Sequence, residues 1–164
     1  MKFPKILVAV ILIIAISCEK DENEEARMAL EGHWHIWDFE PSSDSPEEAS
    51  LLAKDAILKL VSQGCDPIEF TFKSDQTVSY SDGMRYLKAT STEDGVDVSC
   101  AAQYDDKKGT FDFDNEQLTL NFESESIIYD AAIEGKYLTT QVDNMLINDI
   151  VVSGKLYFIV ETGE

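Results

Sequence analysis

Hydrophobic and polar residues alternate along most of the chain beyond residue 65. Ile68, Phe70 and Phe72 open this pattern, with polar residues between them. Further short apolar runs lie at residues 78–80, 84–89, 96–104, 111–113, 118–122, 136–142, 145–152 and 154–161. Asp114-Asn115 and Ser153-Gly154 have the composition of tight turns between runs. Many short strands at regular spacing predict an antiparallel barrel or sandwich.

An earlier run, residues 30–39, also alternates and predicts the first strand. Trp34, Ile36 and Asp38 fall on one face of this strand, whereas Phe39 falls on the other with the two histidines. Both faces therefore carry bulky side chains.

The spacing of apolar residues changes at residues 47–63, where they recur every three or four positions. Ser45 and Glu48 have the spacing of a capping box, Pro46 suits the helix start, and Gly64 suits its end. The pattern predicts one helix between the first two strands.

The N-terminus has the three parts of a secretory signal. Lys2 and Lys5 precede an uncharged apolar run at residues 6–16, and the small residue Ser17 and then Cys18 follow. A spanning helix needs about 20 apolar residues, so this run is too short to serve as an anchor. An ordinary cleaved signal that leaves a free cysteine is the alternative interpretation.

Residues 15–18, Ala-Ile-Ser-Cys, resemble the lipobox of bacterial lipoproteins. The resemblance implies cleavage before Cys18 and acylation of that cysteine, and several acyl chains would anchor the protein without a transmembrane helix. We therefore divide the chain into a signal peptide at residues 1–17, a lipidated cysteine with an acidic tether at residues 18–29, and a folded domain at residues 30–164.

The stretch at residues 19–25 is hydrophilic and mainly acidic. Such composition is typical of a solvated tether. Alternatively, Lys20, Asp21 and Glu22 resemble the export tag that sends some Gram-negative lipoproteins to the outer face of the outer membrane. Both interpretations place the domain at an envelope membrane, which we expect to be the outer membrane. The sequence leaves two alternatives, a domain exposed at the cell surface and a domain that faces the periplasm.

Removal of 17 of the 164 residues leaves 147, enough for one domain with a substantial core. Because two lysines leave with the signal, the formal net charge changes from −19 to −21. Such a charge repels phosphate backbones and anionic headgroups, so the sequence predicts no nucleic-acid partner. The lipid must supply the membrane attachment.

Apart from Cys18, the chain has two cysteines, Cys65 and Cys100. An even remainder in an exported chain indicates one disulfide. A free reactive pair is the alternative, which neither basic neighbours nor Cys-x-x-Cys spacing favours.

The opening at residues 30–34, Leu-Glu-Gly-His-Trp, is similar to the first strand of the lipocalin-like domains found in many small bacterial lipoproteins. Their Gly-x-Trp is matched by Gly32 and Trp34. The positions of both cysteines and the run at residues 109–120 are also similar to those of the lipocalin-like domains. The resemblance implies a mainly β fold, an up-and-down antiparallel barrel of about eight strands. The helix that the apolar spacing predicts between the first two strands departs from lipocalins proper, which have a long loop there and a helix near the C-terminus.

An eight-stranded barrel is either filled by its own side chains or holds one small ligand. The candidates for a ligand pocket are the inward aromatic and leucine residues Phe70, Phe72, Tyr80, Phe111, Phe113 and Leu120. The alternative is that this same stripe fills the core. Gly32 and Trp34 are assigned a structural role, because glycine permits tight chain entry and the indole closes one barrel end.

The sequence predicts no metal site, cofactor or catalytic residue. His33 and His35 share a strand face, but zinc needs three or four ligands. No nucleophile elbow or phosphate loop is present.

Three functions follow from these observations. The leading one is a surface lipoprotein whose barrel binds a small apolar or amphipathic ligand. The second is an envelope interaction or inhibitor protein that engages a macromolecule through its loops or acidic surface. The third, a hydrolase, has no motif in its favour.

Overall fold

The computed structural model describes residues 22–93, 95–147 and 150–161. The helices are α1 (Glu22–Leu30) and α2 (Glu47–Ser62), and a 3₁₀ turn covers Met84–Tyr86. The strands are β1 (Gly32–Pro41), β2 (Ile68–Phe72), β3 (Thr77–Asp82), β4 (Lys88–Thr92), β5 (Gly95–Ser99), β6 (Asp105–Asp114), β7 (Gln117–Phe122), β8 (Ser126–Glu134), β9 (Tyr137–Ile147) and β10 (Ile150–Val160).

Eight of these described strands close into an antiparallel barrel in the order β1-β10-β9-β8-β7-β6-β3-β2. Neighbours in the barrel are also neighbours in sequence, apart from the β4–β5 hairpin inserted between β3 and β6 and the closure of β1 on β10. The predicted fold class is therefore confirmed, with α2 between the first two strands.

The alternation of β2 and β3 shows how the sequence builds this barrel. Phe70 pairs with Tyr80 and Phe72 with Val78, and all four side chains are buried. Since side chains of a strand alternate between its faces, the polar residues between them lie outside.

A bulge in β1 corrects one detail of the predicted first strand. The register shifts between Ile36 and Asp38, so that Trp37 is exposed and Phe39 is buried. Strict alternation had placed Phe39 on the face opposite Trp34. The extra residue of a bulge reverses which face the following side chains occupy.

Residues 22–29, which composition predicts to be a solvated tether, form most of α1. Two contacts tie this helix to the barrel. The guanidinium Nη2 of Arg27 lies 2.6 Å from the carboxylate of Asp112 in β6, and Leu30 is fully buried. Charge composition alone does not reveal such tertiary partners. Cys18 lies outside the described residues.

The end of α2 agrees with the prediction, whereas its start does not. Gly64 has φ +71°, and the N–H of Cys65 donates to the carbonyl of Leu60, as in a glycine-terminated helix. The predicted capping box is absent. The Oγ of Ser45 instead accepts the N–H of Ser153 in β10 at 3.0 Å, so this serine links the loop before α2 to the barrel.

The pattern predicts strands at residues 84–89 and 96–104. The structure has the shorter strands β4 and β5 there, which form a separate hairpin. Met84 belongs to the 3₁₀ turn, and the strand β5 ends at Ser99, just before Cys100. The hairpin packs on α2, where Lys59 Nζ donates to the carbonyl of Val96 at 2.7 Å. Regular strand structure is therefore interrupted where the chain leaves the barrel after β3 and where it re-enters the barrel at β6.

The predicted disulfide is present and joins Cys65 to Cys100, with Cα atoms 5.5 Å apart. It links the segment that follows α2 to the segment that follows β5. The alternative of a free pair is therefore wrong for this structure.

The C-terminal strands differ from the prediction in two ways. The strand β8 was not predicted, because its outward face carries the exposed Ile128, which obscures the alternation. The predicted turn at Ser153-Gly154 lies inside β10 as a register shift. A side chain at Gly154 would meet the carbonyl oxygen of Glu40 at 2.3 Å, so the glycine permits close packing on β1 rather than a turn.

Candidate functional site

A cavity of about 460 Å³ lies at the barrel end where β2 begins and β3 ends. Its walls come from β2, β3, the 3₁₀ turn, the first half of β8, the second half of β9, and β10. This volume falls within the range of small-molecule pockets, about 300–1,000 Å³. We call this the hollow end of the barrel. At the opposite end, called the filled end, the interior around Trp34 and Phe72 is packed, and a second cleft of about 580 Å³ lies between α1 and the ends of β6 and β8.

The structure divides the six pocket candidates between these two ends. Phe70 and Tyr80 line the cavity. The other four do not line it, and all are buried: Phe72, Phe111, Phe113 and Leu120. Phe111 and Phe113 also border clefts next to α1. The rings of Phe72 and Phe111 lie 4.8 Å apart, edge to face. Both interpretations of the aromatic stripe thus apply, each to a different part of the barrel.

The filled end contains the Gly-x-Trp pair. Trp34 is fully buried, and its indole N–H donates to the carbonyl of Leu30 at 2.7 Å. Gly32 has φ +137°, and a Cβ there would meet Val160 at 2.7 Å. Neither residue lines the cavity, and both pack within the filled end.

An aromatic cluster forms the inner wall of the cavity. The Phe70 ring stacks on Tyr80 with centroids 5.1 Å apart, and the Phe158 ring meets Phe70 edge to face, also at 5.1 Å. Tyr129 contacts the same phenylalanine at 6.4 Å. Because each ring limits the rotation of the next, this wall is preorganised.

A chain of hydrogen bonds crosses this aromatic wall. The Tyr80 hydroxyl donates to Oδ2 of Asp82 at 2.8 Å, and the N–H of Met84 donates to Oδ1 at 2.9 Å. Tyr129 is hydrogen-bonded to Tyr80 through the side chains. A carboxylate has about four acceptor positions, so Asp82 retains capacity for a further donor.

Burial raises the pKa of both tyrosines, which are neutral at physiological pH even at the ordinary value of about 10. Desolvation is the main cause that raises the pKa of Tyr80, and the charge of Asp82 adds to it. Desolvation likewise raises the pKa of Tyr129, against the opposing hydrogen bond with Tyr80. The cavity therefore presents phenol hydroxyls rather than phenolates at physiological pH.

Thr140 of β9 contributes a hydroxyl without a partner. The residue is 1% exposed, and among the described side chains its Oγ1 is one of two buried polar atoms that make no hydrogen bond. Thr140 pairs with Ala131 in register, and Tyr129, two residues earlier, lies on the same face of β8. An unsatisfied hydroxyl in a cavity wall is a ready partner for a ligand.

Charged and amide side chains surround the cavity mouth. Asp143, Asn144 and Arg85 line it. The Nε of Arg85 lies 3.3 Å from a carboxylate oxygen of Asp105, and the guanidinium lies 4.8 Å from the centre of the Tyr86 ring. The mouth is therefore polar, whereas the interior is mainly apolar.

His33 lies outside the cavity, between two carboxylates. Its Nδ1 is 3.1 Å from Glu161 and its Nε2 is 3.3 Å from Glu69. Desolvation acts to lower the pKa of His33, but the hydrogen bonds and charges of both glutamates together outweigh it and raise the pKa. In the described parts of the chain, no three His, Cys, Asp or Glu side chains are grouped to hold a metal ion.

Sequence reasoning missed Asp82, Tyr129 and Thr140. Tyr129 belongs to the strand that was not predicted, and its alternation with Ile127, Ala131 and Ile133 was the available signal. Asp82 and Thr140 resemble ordinary polar residues at strand ends and centres, so no sequence signal distinguishes them.

In the described ranges, no helix has both the length and the apolar character needed to span a bilayer.

Comparisons with known proteins give one match, among solved structures. No family model matches the chain, and no curated protein matches it. Among solved structures, the chain is similar to the crystal structure of a DUF4847 family protein from Bacteroides vulgatus ATCC 8482. The two share 14% identity over 81% of this chain and 94% of that chain, with a TM-score of 0.40.

Proposed function

We propose that this protein binds a small amphipathic molecule in the cavity at the hollow end of its barrel. The observation that carries the proposal is the cavity itself, which combines an aromatic wall with the unpartnered hydroxyl of Thr140. Apolar surface supplies affinity, and a few fixed polar groups orient a ligand. An amphipathic molecule satisfies both requirements.

We also propose that the barrel is held at the outer membrane by acyl chains on Cys18. The lipobox-like residues 15–18 and the short apolar run before them support this proposal. Because α1 begins at Glu22, at most a few residues would separate the lipid from the folded protein. The filled end, which α1 contacts through β6 and β8, would then be the end nearest the attachment point.

Binding is tested with N-phenyl-1-naphthylamine, an uncharged probe whose fluorescence rises in apolar surroundings. The full-length protein is titrated alongside Val142→Trp, which fills the cavity, and Val151→Trp, which makes the same change at an exposed position outside the lining. We expect Val142→Trp to weaken binding at least about tenfold and Val151→Trp to leave it within about twofold.

Two results would contradict the proposal. One is a wild-type protein that does not bind the probe. The other is equal binding by wild type and Val142→Trp, since the probe would then occupy another surface. Thermal unfolding of each variant shows whether the barrel remains folded.

A further inference from the structure

We propose that the cavity selects amphipathic molecules with a cationic or hydrogen-bond-donating head over those with an anionic head, and that Asp82 and Thr140 receive that head. The inference rests on the proposed function, because it specifies the ligand class for the same cavity. The inference distinguishes amphipathic amines and alcohols from fatty acids that have the same apolar chain.

The charges around the cavity give the first argument. The charged residues in its lining are Asp82, Asp143 and Arg85. Arg85 is paired with Asp105, which leaves the two aspartates as the uncompensated charges of the wall. A carboxylate that entered such a space would meet like charge in a partly desolvated site, where the interaction is weakly screened.

Other basic groups near the wall do not reverse this balance. Lys107 lies 5.8 Å from the centre of the Tyr80 ring, but it forms an ion pair with Glu125 and does not line the cavity. The charges of Lys107 and Glu125 offset each other, so this ion pair adds no net charge beside the cavity. Asp82 therefore sets the sign of the field at the hydrogen-bonded chain, and that field is negative.

The donors and acceptors give the second argument. Both tyrosines are neutral, and the Tyr80 proton is already directed to Asp82. The remaining polar capacity comprises the free positions of the Asp82 carboxylate, which only accept, and the Thr140 hydroxyl, which can both donate and accept. An ammonium group has three donors and no acceptor, which matches this arrangement, whereas a carboxylate has only acceptors.

Thr140 makes the site more than a cluster of acidic residues. Its side chain is buried on the inner face of β9, and no protein group satisfies it. Thr140 and Tyr129 both line the cavity from neighbouring strands, and Ala131, the register partner of Thr140, is on the same face of β8 as Tyr129. A bound head group would give the Thr140 hydroxyl a hydrogen-bond partner.

The experiment compares three molecules with the same twelve-carbon chain: dodecylammonium, dodecanol and dodecanoate. Each displaces N-phenyl-1-naphthylamine from the full-length protein in about 0.5 M salt, which screens the long-range attraction of the acidic surface. We expect dodecylammonium to act at concentrations at least about tenfold lower than dodecanoate, with dodecanol between them.

Two variants locate the effect. Asp82→Asn should reduce the preference for dodecylammonium over dodecanoate to about threefold or less. Asp106→Asn removes the same charge from the exposed outer face of β6 and should leave the preference unchanged. If Asp82→Asn does not fold, Thr140→Val supplies the second test, and it should weaken dodecylammonium and dodecanol several-fold.

The outcomes separate the two proposals. Equal or better displacement by dodecanoate, or an unchanged preference in Asp82→Asn, overturns the inference while cavity binding stands. Failure of the probe and of all three molecules to bind overturns both.

Discussion

At the scale of single residues, Thr140 carries the clearest mark of a function. A buried hydroxyl with no partner is destabilising, because its hydration is lost and nothing replaces it. Proteins retain such groups where another need outweighs the cost, and the cavity wall is where Thr140 lies.

We therefore expect Thr140→Val to stabilise the unliganded protein by about 1–2 kcal/mol, since the change removes the unsatisfied oxygen and keeps the branched shape. Chemical denaturation measures this difference. Thr139→Val is the matched control, because the Thr139 hydroxyl on the opposite face donates to the carbonyl of Ala132 at 3.5 Å. A loss of stability in Thr140→Val would show that the hydroxyl is satisfied after all.

His33 predicts a dependence of stability on pH. Its pKa is raised above the ordinary 6.5 in the folded state, so the folded protein binds this proton more tightly than the unfolded chain does. The stability gained is fully present below about pH 6.5 and is lost as the pH rises through the folded pKa. Glu69 and Glu161 are the source of the raised pKa.

The free energy of unfolding of His33→Gln should therefore fall further below that of wild type at about pH 5.5 than at about pH 8. Denaturation at both pH values measures it. In a Glu69→Gln/Glu161→Gln background the same substitution should lose this pH dependence. A constant difference across the pH range would contradict the assignment.

At the scale of elements, the disulfide and α2 organise the part of the chain that lies outside the barrel. Cys65 follows the glycine-terminated end of the helix, and Cys100 follows β5. The connection ties α2 and the β4–β5 hairpin together beside β1. The β4–β5 hairpin forms a sheet separate from the barrel, and the disulfide joins the end of this hairpin to the end of α2.

The double variant Cys65→Ser/Cys100→Ser should lose about 3–4 kcal/mol of unfolding free energy, the value that the chain-entropy account gives for a loop of this length. Urea denaturation measures the loss. Reduction of the wild type with dithiothreitol should reproduce it, and the same treatment should leave the double variant unchanged. A denaturation midpoint that reduction does not move would show that the link contributes little.

The elements also show how far alternation predicts strands. It located β2, β3, β6 and β7, whose apolar residues all point inward. Alternation failed for β8, because the exposed Ile128 on the outer face interrupts the apolar-polar pattern. It also failed at Gly154, since glycine marks both turns and places of close strand packing.

At the scale of the whole molecule, the two barrel ends differ in structure. The filled end is covered by α1 and contains Trp34, and the hollow end contains the cavity. With the anchor on the filled side, the cavity would face away from the attachment point. The acidic surface repels anionic headgroups, so the proposed attachment depends on the acyl chains alone.

Cys18→Ala tests this arrangement. We expect the wild-type protein, expressed with its signal in a Gram-negative host, to partition into the detergent phase of Triton X-114, and Cys18→Ala to move to the aqueous phase. Cys65→Ser/Cys100→Ser is the control, because it removes two cysteines without touching the proposed acylation site. Detergent partitioning of Cys18→Ala would point to another means of attachment.

The sequence by itself determined the period of most segments, and with it an antiparallel barrel or sandwich, the helix between the first two strands and the pairing of two cysteines. These follow from local alternation, turn residues and cysteine count, whereas the choice of a barrel came from the resemblance to lipocalin-like domains. Only the tertiary structure decided that Phe70 and Tyr80 face a cavity while Phe72 and Phe111 fill the core. The same is true of Asp82, Tyr129 and Thr140, which lie on three different strands or strand ends. Strand alternation tells which side chains point inward, but whether the space between them is filled depends on how strands distant in sequence pack together.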